Sequence, residues 1–202
     1  MTRNFVIGID EVGRGPLAGP ITVAAVAATG STKFLKNIKD SKKLSRVKRE
    51  EWNEKIRGKC MYAISSVGPV VIDRIGISRA AKIAVARCLN KLTKRYTLNP
   101  ARSAGGAYRF GVVLDGGLYA PKTYAHQETI IKGDERHPLI AAASIVAKVH
   151  RDASMRRLHK EFPLYGFDHH KGYGTAMHRR LLKMHGPCSI HRRSFCANIK
   201  TW

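Results

Sequence analysis

At 202 residues and 44% hydrophobic composition, the chain is long enough to bury a core and is expected to form one domain. Its 37 Lys plus Arg against 14 Asp plus Glu give a formal net charge of +23 and point to an anionic partner, nucleic acid before a membrane surface. No stretch reaches the roughly 18 apolar residues of a spanning helix. The apolar run before Asp10 is too short for a secretory signal, and a motif this close to Met1 argues against an organelle presequence. Cys60, Cys88, Cys188 and Cys196 form no CxxC pair, as expected of reduced thiols in a cytoplasmic protein.

Residues 5–9 and 20–28 read as buried strands, and the Gly/Pro-rich turn between them predicts an antiparallel pair. Ser45 is placed to cap a helix over 46–57, with Gly58 as its stop. A third strand is expected at 60–67. Ala81, Val85, Leu89, Leu92 and Tyr96 fall at helical spacing within 78–96. Arg102 to Gly106 reads as a linker too short to divide domains. Strands return at 110–114 and about 124–131, followed by a long helix over about 138–160. Residues 163–175 read as a Gly/His-rich loop, 175–185 as a short basic helix and 187–202 as a tail. This order predicts a mixed α/β sheet flanked by helices, with a C-terminal helical segment.

The scarce acids occupy particular places. Asp10 and Glu11 close the run Phe5 to Ile9, Asp115 closes Phe110 to Leu114, and Asp134 follows Thr129 to Ile131 through Lys132 and Gly133. Carboxylates at strand ends of a basic protein suit Mg²⁺ or Mn²⁺ held against a polyanion, which implies a nuclease. Two such ions roughly 4 Å apart activate a water and stabilise a leaving oxygen. On spacing alone, Asp10, Asp115 and Asp134 are equally well explained as turn formers. Neighbours in a strand also point to opposite faces, so Asp10 and Glu11 share a site only if the strand ends there; Gly13 and Gly15 supply the expected break.

The run Ile9 to Pro20 (IDEVGRGPLAGP) resembles the opening motif of the ribonuclease HII family. Asp40 to Leu44, Leu114 to Gly116, Lys132 to Asp134 with Ala141 to Asp152, Tyr165 to Thr175, and His191 to Phe195 resemble its further motifs in the same order. The resemblance spans nearly the whole chain. It implies a ribonuclease H-like fold in a single domain over 1–202, with about 156–202 forming a helical and loop extension that binds substrate. It also implies that Asp10, Glu11, Asp115 and Asp134 are the catalytic metal ligands. Gly13, Arg14 and Gly15 resemble the segment that reads a ribonucleotide 2′-hydroxyl through backbone groups, and Tyr173 resembles the tyrosine that stacks on the following sugar. Ribonuclease HIII resembles the same core but carries an additional N-terminal domain and a Lys where Arg14 stands.

Lys42, Lys43, Lys148, Arg151, Lys171, Arg192 and Arg193 lie in matched segments and are expected to contact phosphates, Lys42, Lys43 and Lys148 foremost. His185, Cys188, His191 and Cys196 have short spacings of a kind that binds zinc, although the family motif accounts for His191 without it. The implied activity is metal-dependent hydrolysis of RNA in RNA–DNA hybrids and cleavage 5′ of ribonucleotides embedded in duplex DNA, leaving 3′-OH and 5′-phosphate, by a cytoplasmic monomer with no membrane partner. The alternative is a non-catalytic basic nucleic-acid-binding protein, which explains the charge but not the acids at strand ends.

Overall fold

The computed structural model describes residues 3–28, 31–36, 38, 41–98 and 108–197; for Arg3, Asn4, Lys42 and residues 108–110 the backbone alone is described. The linker expected at 102–106 lies outside these residues. Among the described residues, five strands form one sheet: β1 (Arg3–Val12), β2 (Ile21–Ala27), β3 (Met61–Val67), β4 (Tyr108–Asp115) and β5 (Gln127–Ile130), in the order β3-β2-β1-β4-β5. β2 runs antiparallel to both β1 and β3, whereas β1, β4 and β5 are parallel. The mixed sheet expected from the sequence is therefore present.

The helices are α1 (Arg46–Lys59), α2 (Pro69–Ile75), α3 (Ile77–Arg95), α4 (Gly133–Arg136), α5 (Pro138–Glu161), α6 (Phe167–His170), α7 (Ala176–His185) and α8 (Arg193–Cys196). The period-two alternation of the strands sorts their side chains onto two faces. Phe5, Ile7 and Ile9 of β1 and Val23 and Ala25 of β2 pack with Ala81, Val85, Leu89 and Leu92 of α3. Ala24 and Val26 turn the other way, onto Leu139, Ala142, Ala143 and Val146 of α5, with Ile56 of α1 in the same cluster. The small residues Ala141, Ala142 and Ala143 let α5 sit close to the sheet, and the helix is buried at every position from Leu139 to Ala147.

That contact is tightest at Gly8. A Cβ there would stand 2.3 Å from the Leu139 carbonyl carbon and 2.6 Å from Ile140 N, both backbone atoms that cannot rotate aside. The approach sets the height of α5 against β1 and therefore what α5 presents to the next β1 residues.

Several boundaries differ from expectation. β1 continues through Asp10 and Glu11 to Val12, paired with β2 as far as Val12↔Thr22, so the strand ends at Gly13 rather than at the two acids. α1 passes Gly58 and is capped at Cys60, whose amide donates to Ile56 O; Ser45 does accept from Lys48 N as its N-cap. The segment expected as a loop over 163–175 holds a 3₁₀ turn (Pro163–Tyr165) and α6, and the expected tail holds α8. β5 covers only the second half of the strand expected at 124–131. α2 was missed, although Pro69 at its first position and Gly76 at its end bracket it in the sequence.

Gly8→Ala is expected to destabilise the protein by about 3 kcal/mol or to prevent folding, because overpacking here must move backbone. A urea unfolding curve measures it, and an unchanged midpoint would contradict the close approach of α5.

Candidate active site

The carboxylates assemble where the parallel β1–β4 ladder stops. Its last pair is Ile9↔Leu114, so the next residues, Asp10 and Asp115, stand just beyond the ladder. Asp10 follows the even-numbered residues of β1 toward α5, where the Ser144 hydroxyl hydrogen-bonds its carboxyl. Glu11 follows the odd-numbered residues toward the α3 face, where Arg14 pairs with its Oε1 at 3.2 Å and reaches Ser78 of α3 at 3.4 Å. Two neighbours sent to opposite faces nevertheless meet across this uncovered strand edge, helped by the longer glutamate side chain. One ligand oxygen each from Asp10, Glu11 and Asp115 lies within 4.8 Å of the others, a geometry open to a shared cation.

Asp134 is buried but outside this trio. It sits in the first turn of α4, which begins after Lys132 adopts a left-handed conformation at φ 54°. The preceding amide, Gly133 N, donates to Asp115 Oδ1 at 2.7 Å, so the start of α4, the helix that carries Asp134, is tied to Asp115.

Burial pushes the Asp10 carboxyl well above the usual carboxylate range, and the charges of Glu11 and Asp115 raise it further. Burial also raises Glu11, against the lowering effect of Arg14. Glu11 Oε2 is buried with no hydrogen-bond partner. An unpartnered carboxylate oxygen among three mutually repelling acids fits a hard divalent cation, which would supply the missing positive charge and take oxygen ligands. The donor set contains no sulfur or imidazole.

Two arginines expected on phosphates do something else. Arg151 and Arg192 are both fully buried. Arg192 donates through Nη2 to Gly13 O (2.7 Å), Nη1 to Arg14 O (3.0 Å) and Nε to Gly19 O (2.9 Å). Arg151 donates through Nε to Pro20 O (2.9 Å) and through Nη2 to Ala18 O (3.3 Å). They are drawn inward because the turn between β1 and β2 buries carbonyls that need donors, and a guanidinium offers several in a fixed fork. In a trans peptide the carbonyl and the following N–H point in opposite directions. Holding Gly13 O and Arg14 O inward therefore directs the Arg14 and Gly15 amides away from Arg192. Gly13, at φ 91°, is needed twice over, since a Cβ would lie 2.3 Å from Arg151 Nε. Gly15 has nothing within 4 Å of its Cβ position, leaving room for a ligand to approach the backbone.

Tyr173 is 40% exposed, with the Arg151 guanidinium 5.7 Å from its ring centroid. Its loop is docked to the same turn, because Gly172 O accepts from Leu17 N at 2.8 Å and Ala18 N at 3.3 Å. Lys43 pairs with Glu135 and Lys148 with Asp152, each at 2.8 Å. The Lys42 side chain lies outside the described residues. Ser144 and Ser41, which sequence reasoning passed over, form a buried hydroxyl pair at 2.7 Å that ties the Ser41–Lys43 turn to Asp10. The zinc spacing does not materialise as a cluster, since among the described residues the acidic trio is the one group of three or more potential ligands so gathered.

The model of the family described as ribonuclease HII matches residues 7–198. The ribonuclease HII of Caldicellulosiruptor bescii is 40% identical over 197 residues, covering 97% of this chain and 88% of that one. Among solved structures, the ribonuclease HII of Archaeoglobus fulgidus, determined in complex with PCNA, is 29% identical with a TM-score of 0.76, covering 98% of this chain and 97% of that one. Bst-RNase HIII in complex with Mn²⁺ shares the fold at a TM-score of 0.66 and 20% identity, covering 96% of this chain but 65% of that one. The sheet that ends in clustered acids, the glycine turn cradled by buried arginines and a match over almost every residue agree: the chain belongs to the ribonuclease HII family.

Proposed function

We propose that this metal-dependent ribonuclease H endonuclease hydrolyses the RNA strand of RNA–DNA hybrids and cuts on the 5′ side of ribonucleotides embedded in duplex DNA, leaving 3′-OH and 5′-phosphate. The observation that carries the reading is the trio Asp10, Glu11 and Asp115, with ligand oxygens within 4.8 Å of one another, in a chain of net charge +23. A non-catalytic binding protein has no use for clustered, mutually repelling acids, one buried and two half-buried.

In this reading Asp10, Glu11 and Asp115, with Asp134 beside them, hold Mg²⁺ or Mn²⁺. Bound there, divalent cations supply a water-derived nucleophile and stabilise charge on the leaving oxygen. The outward amides of Arg14 and Gly15 donate to the oxygen of the 2′-hydroxyl, a contact DNA lacks. Tyr173 stacks on the neighbouring sugar. Lys42, Lys43 and Lys148 meet phosphates, Lys43 and Lys148 by exchanging their carboxylate partners for the substrate. The segment beyond α5, including α6, α7 and α8, serves as a substrate-binding extension of the same domain, and the enzyme acts as a monomer. Among the described residues, no helix is long and apolar enough to cross a membrane.

Asp10→Asn or Asp134→Asn is expected to abolish cleavage of a duplex carrying one ribonucleotide while hybrid binding persists; retained turnover by either purified variant would remove that residue from the site. The raised acids also fix a sign. Asp10 is protonated more readily when folded than when unfolded, so in chelator the stability of the protein should fall as pH rises from the ordinary carboxylate range through the raised value. Asp10→Asn should flatten that slope and raise the melting temperature at neutral pH by about 2–4 °C, as relief of roughly 1 kcal/mol would. A lower melting temperature for the variant would contradict the repulsion. Arg192→Lys, which cannot span three carbonyls, should cost about 1–3 kcal/mol per carbonyl left unsatisfied. Steady-state kinetics should also show about a tenfold loss of cleavage, as misplacement of a substrate contact does.

A further inference from the structure

Beneath the Tyr173 loop lies a set of buried imidazoles that the reaction does not use. His178 and His191 are almost wholly buried, and their Nε2 atoms lie 3.1 Å apart. Two like ring nitrogens can bond only if one carries the proton and the other does not. The remaining contacts decide which. His191 Nδ1 accepts from Cys188 N–H at 3.0 Å, with the Cys188 thiol also 3.1 Å away, so the His191 proton is on Nε2. His178 Nδ1 lies 2.9 Å from Tyr173 O, which can only accept, so the His178 proton is on Nδ1 and its Nε2 is free to receive. Each bond then has one donor and one acceptor, and all run the same way: Cys188 amide, His191, His178, Tyr173 carbonyl.

His170 completes the arrangement. It donates Nε2–H to Tyr165 O at 2.6 Å, accepts from Gly172 N at 3.2 Å, and stacks on the His178 ring with centroids 4.2 Å apart. A charged His178 would face the Nε2–H of His191 with a second proton. Consistently, burial pushes both His178 and His191 down to about 4. The backbone of Tyr173 is thus held at both ends, its amide donating to His170 O and its carbonyl accepting from Thr175 N and His178.

We propose that His191 and His178 are positioning residues, a one-directional relay of neutral imidazoles that fixes the Tyr173 carbonyl and so aims the exposed ring at the substrate sugar. The inference rests on the substrate role proposed for Tyr173. It also gives the His191–Arg192 pair one task in two halves. Arg192 sets the glycine turn that faces the 2′-hydroxyl, and His191, through His178, sets the tyrosine beside it. Simple packing of aromatic rings against Phe167, 5.5 Å from His178 by centroid, would need neither tautomer.

Two measurements on the intact protein test this. Ring ¹⁵N NMR at neutral pH should show His178 protonated on Nδ1, the minor tautomer of a free histidine side chain, and His191 on Nε2. Finding His178 protonated on Nε2, or either ring cationic, would overturn the relay. In a double-mutant cycle on a duplex with one ribonucleotide, His178→Phe keeps the ring but loses the bonds. It should lower kcat/KM about tenfold in the natural chain, and less than about twofold on a Tyr173→Ala background. Equal losses on both backgrounds would show that His178 does not act through Tyr173. An unchanged Tyr173→Ala would instead refute the substrate role of the tyrosine, a failure distinct from that of the relay.

Discussion

The site depends on an interrupted ladder. Parallel pairing of β1 with β4 ends at Ile9↔Leu114, while β1 stays paired to β2 through Val12. One edge of β1 is therefore rigid and the other uncovered for the residues that follow. Asp10 and Glu11 leave the strand toward different faces, and Asp115 arrives from the end of β4 to meet them on that open edge. Such an arrangement is costly without a cation, because desolvation and like charge both oppose ionisation. The fold meets the cost with closely packed surroundings: a fully buried β2, α5 pressed against Gly8, and the Ser41–Ser144 hydroxyl pair behind Asp10.

Around this acidic centre the basic residues divide into two kinds of work. Exposed cations supply a field that draws in a phosphate backbone, a long-range and sequence-independent effect. Arg151 and Arg192 are removed from that field by burial and spend their donors on the carbonyls of the β1–β2 turn. The turn thereby presents backbone amides outward, with Gly13 required by the close approach of Arg151 and Gly15 leaving its outer side open. The C-terminal segment reaches back across the whole chain to do this. Arg192 N donates to Leu17 O, Gly19 N donates to Ile190 O, and Ala18 bridges to His191.

Much of the architecture was legible in the sequence because its strands and long helices carry strong periodic patterns. α3 is expected from Ala81, Val85, Leu89 and Leu92 and occurs with those residues buried. The acids were legible as well, as rare residues at strand ends in a basic chain. The manner of their meeting was not: it turns on which side of β1 loses its partner first, a tertiary fact that no local pattern encodes. Arg151 and Arg192 were misread for the same reason, since composition cannot separate a solvated cation from one buried against carbonyls. Gly58 misled because helix α1 could continue one more residue and close on Cys60 instead. The histidines showed no local pairing because the His178–His191 contact joins α7 to a segment beyond it.

Anomalous diffraction from crystals grown with Mn²⁺ addresses the acidic centre most directly. Manganese should appear within about 2.0–2.3 Å of oxygens from Asp10, Glu11 and Asp115 together, close to the spacing of Mg²⁺–oxygen bonds. Manganese bound elsewhere at full occupancy, with those three side chains turned apart, would contradict a shared cation at the end of the β1–β4 ladder.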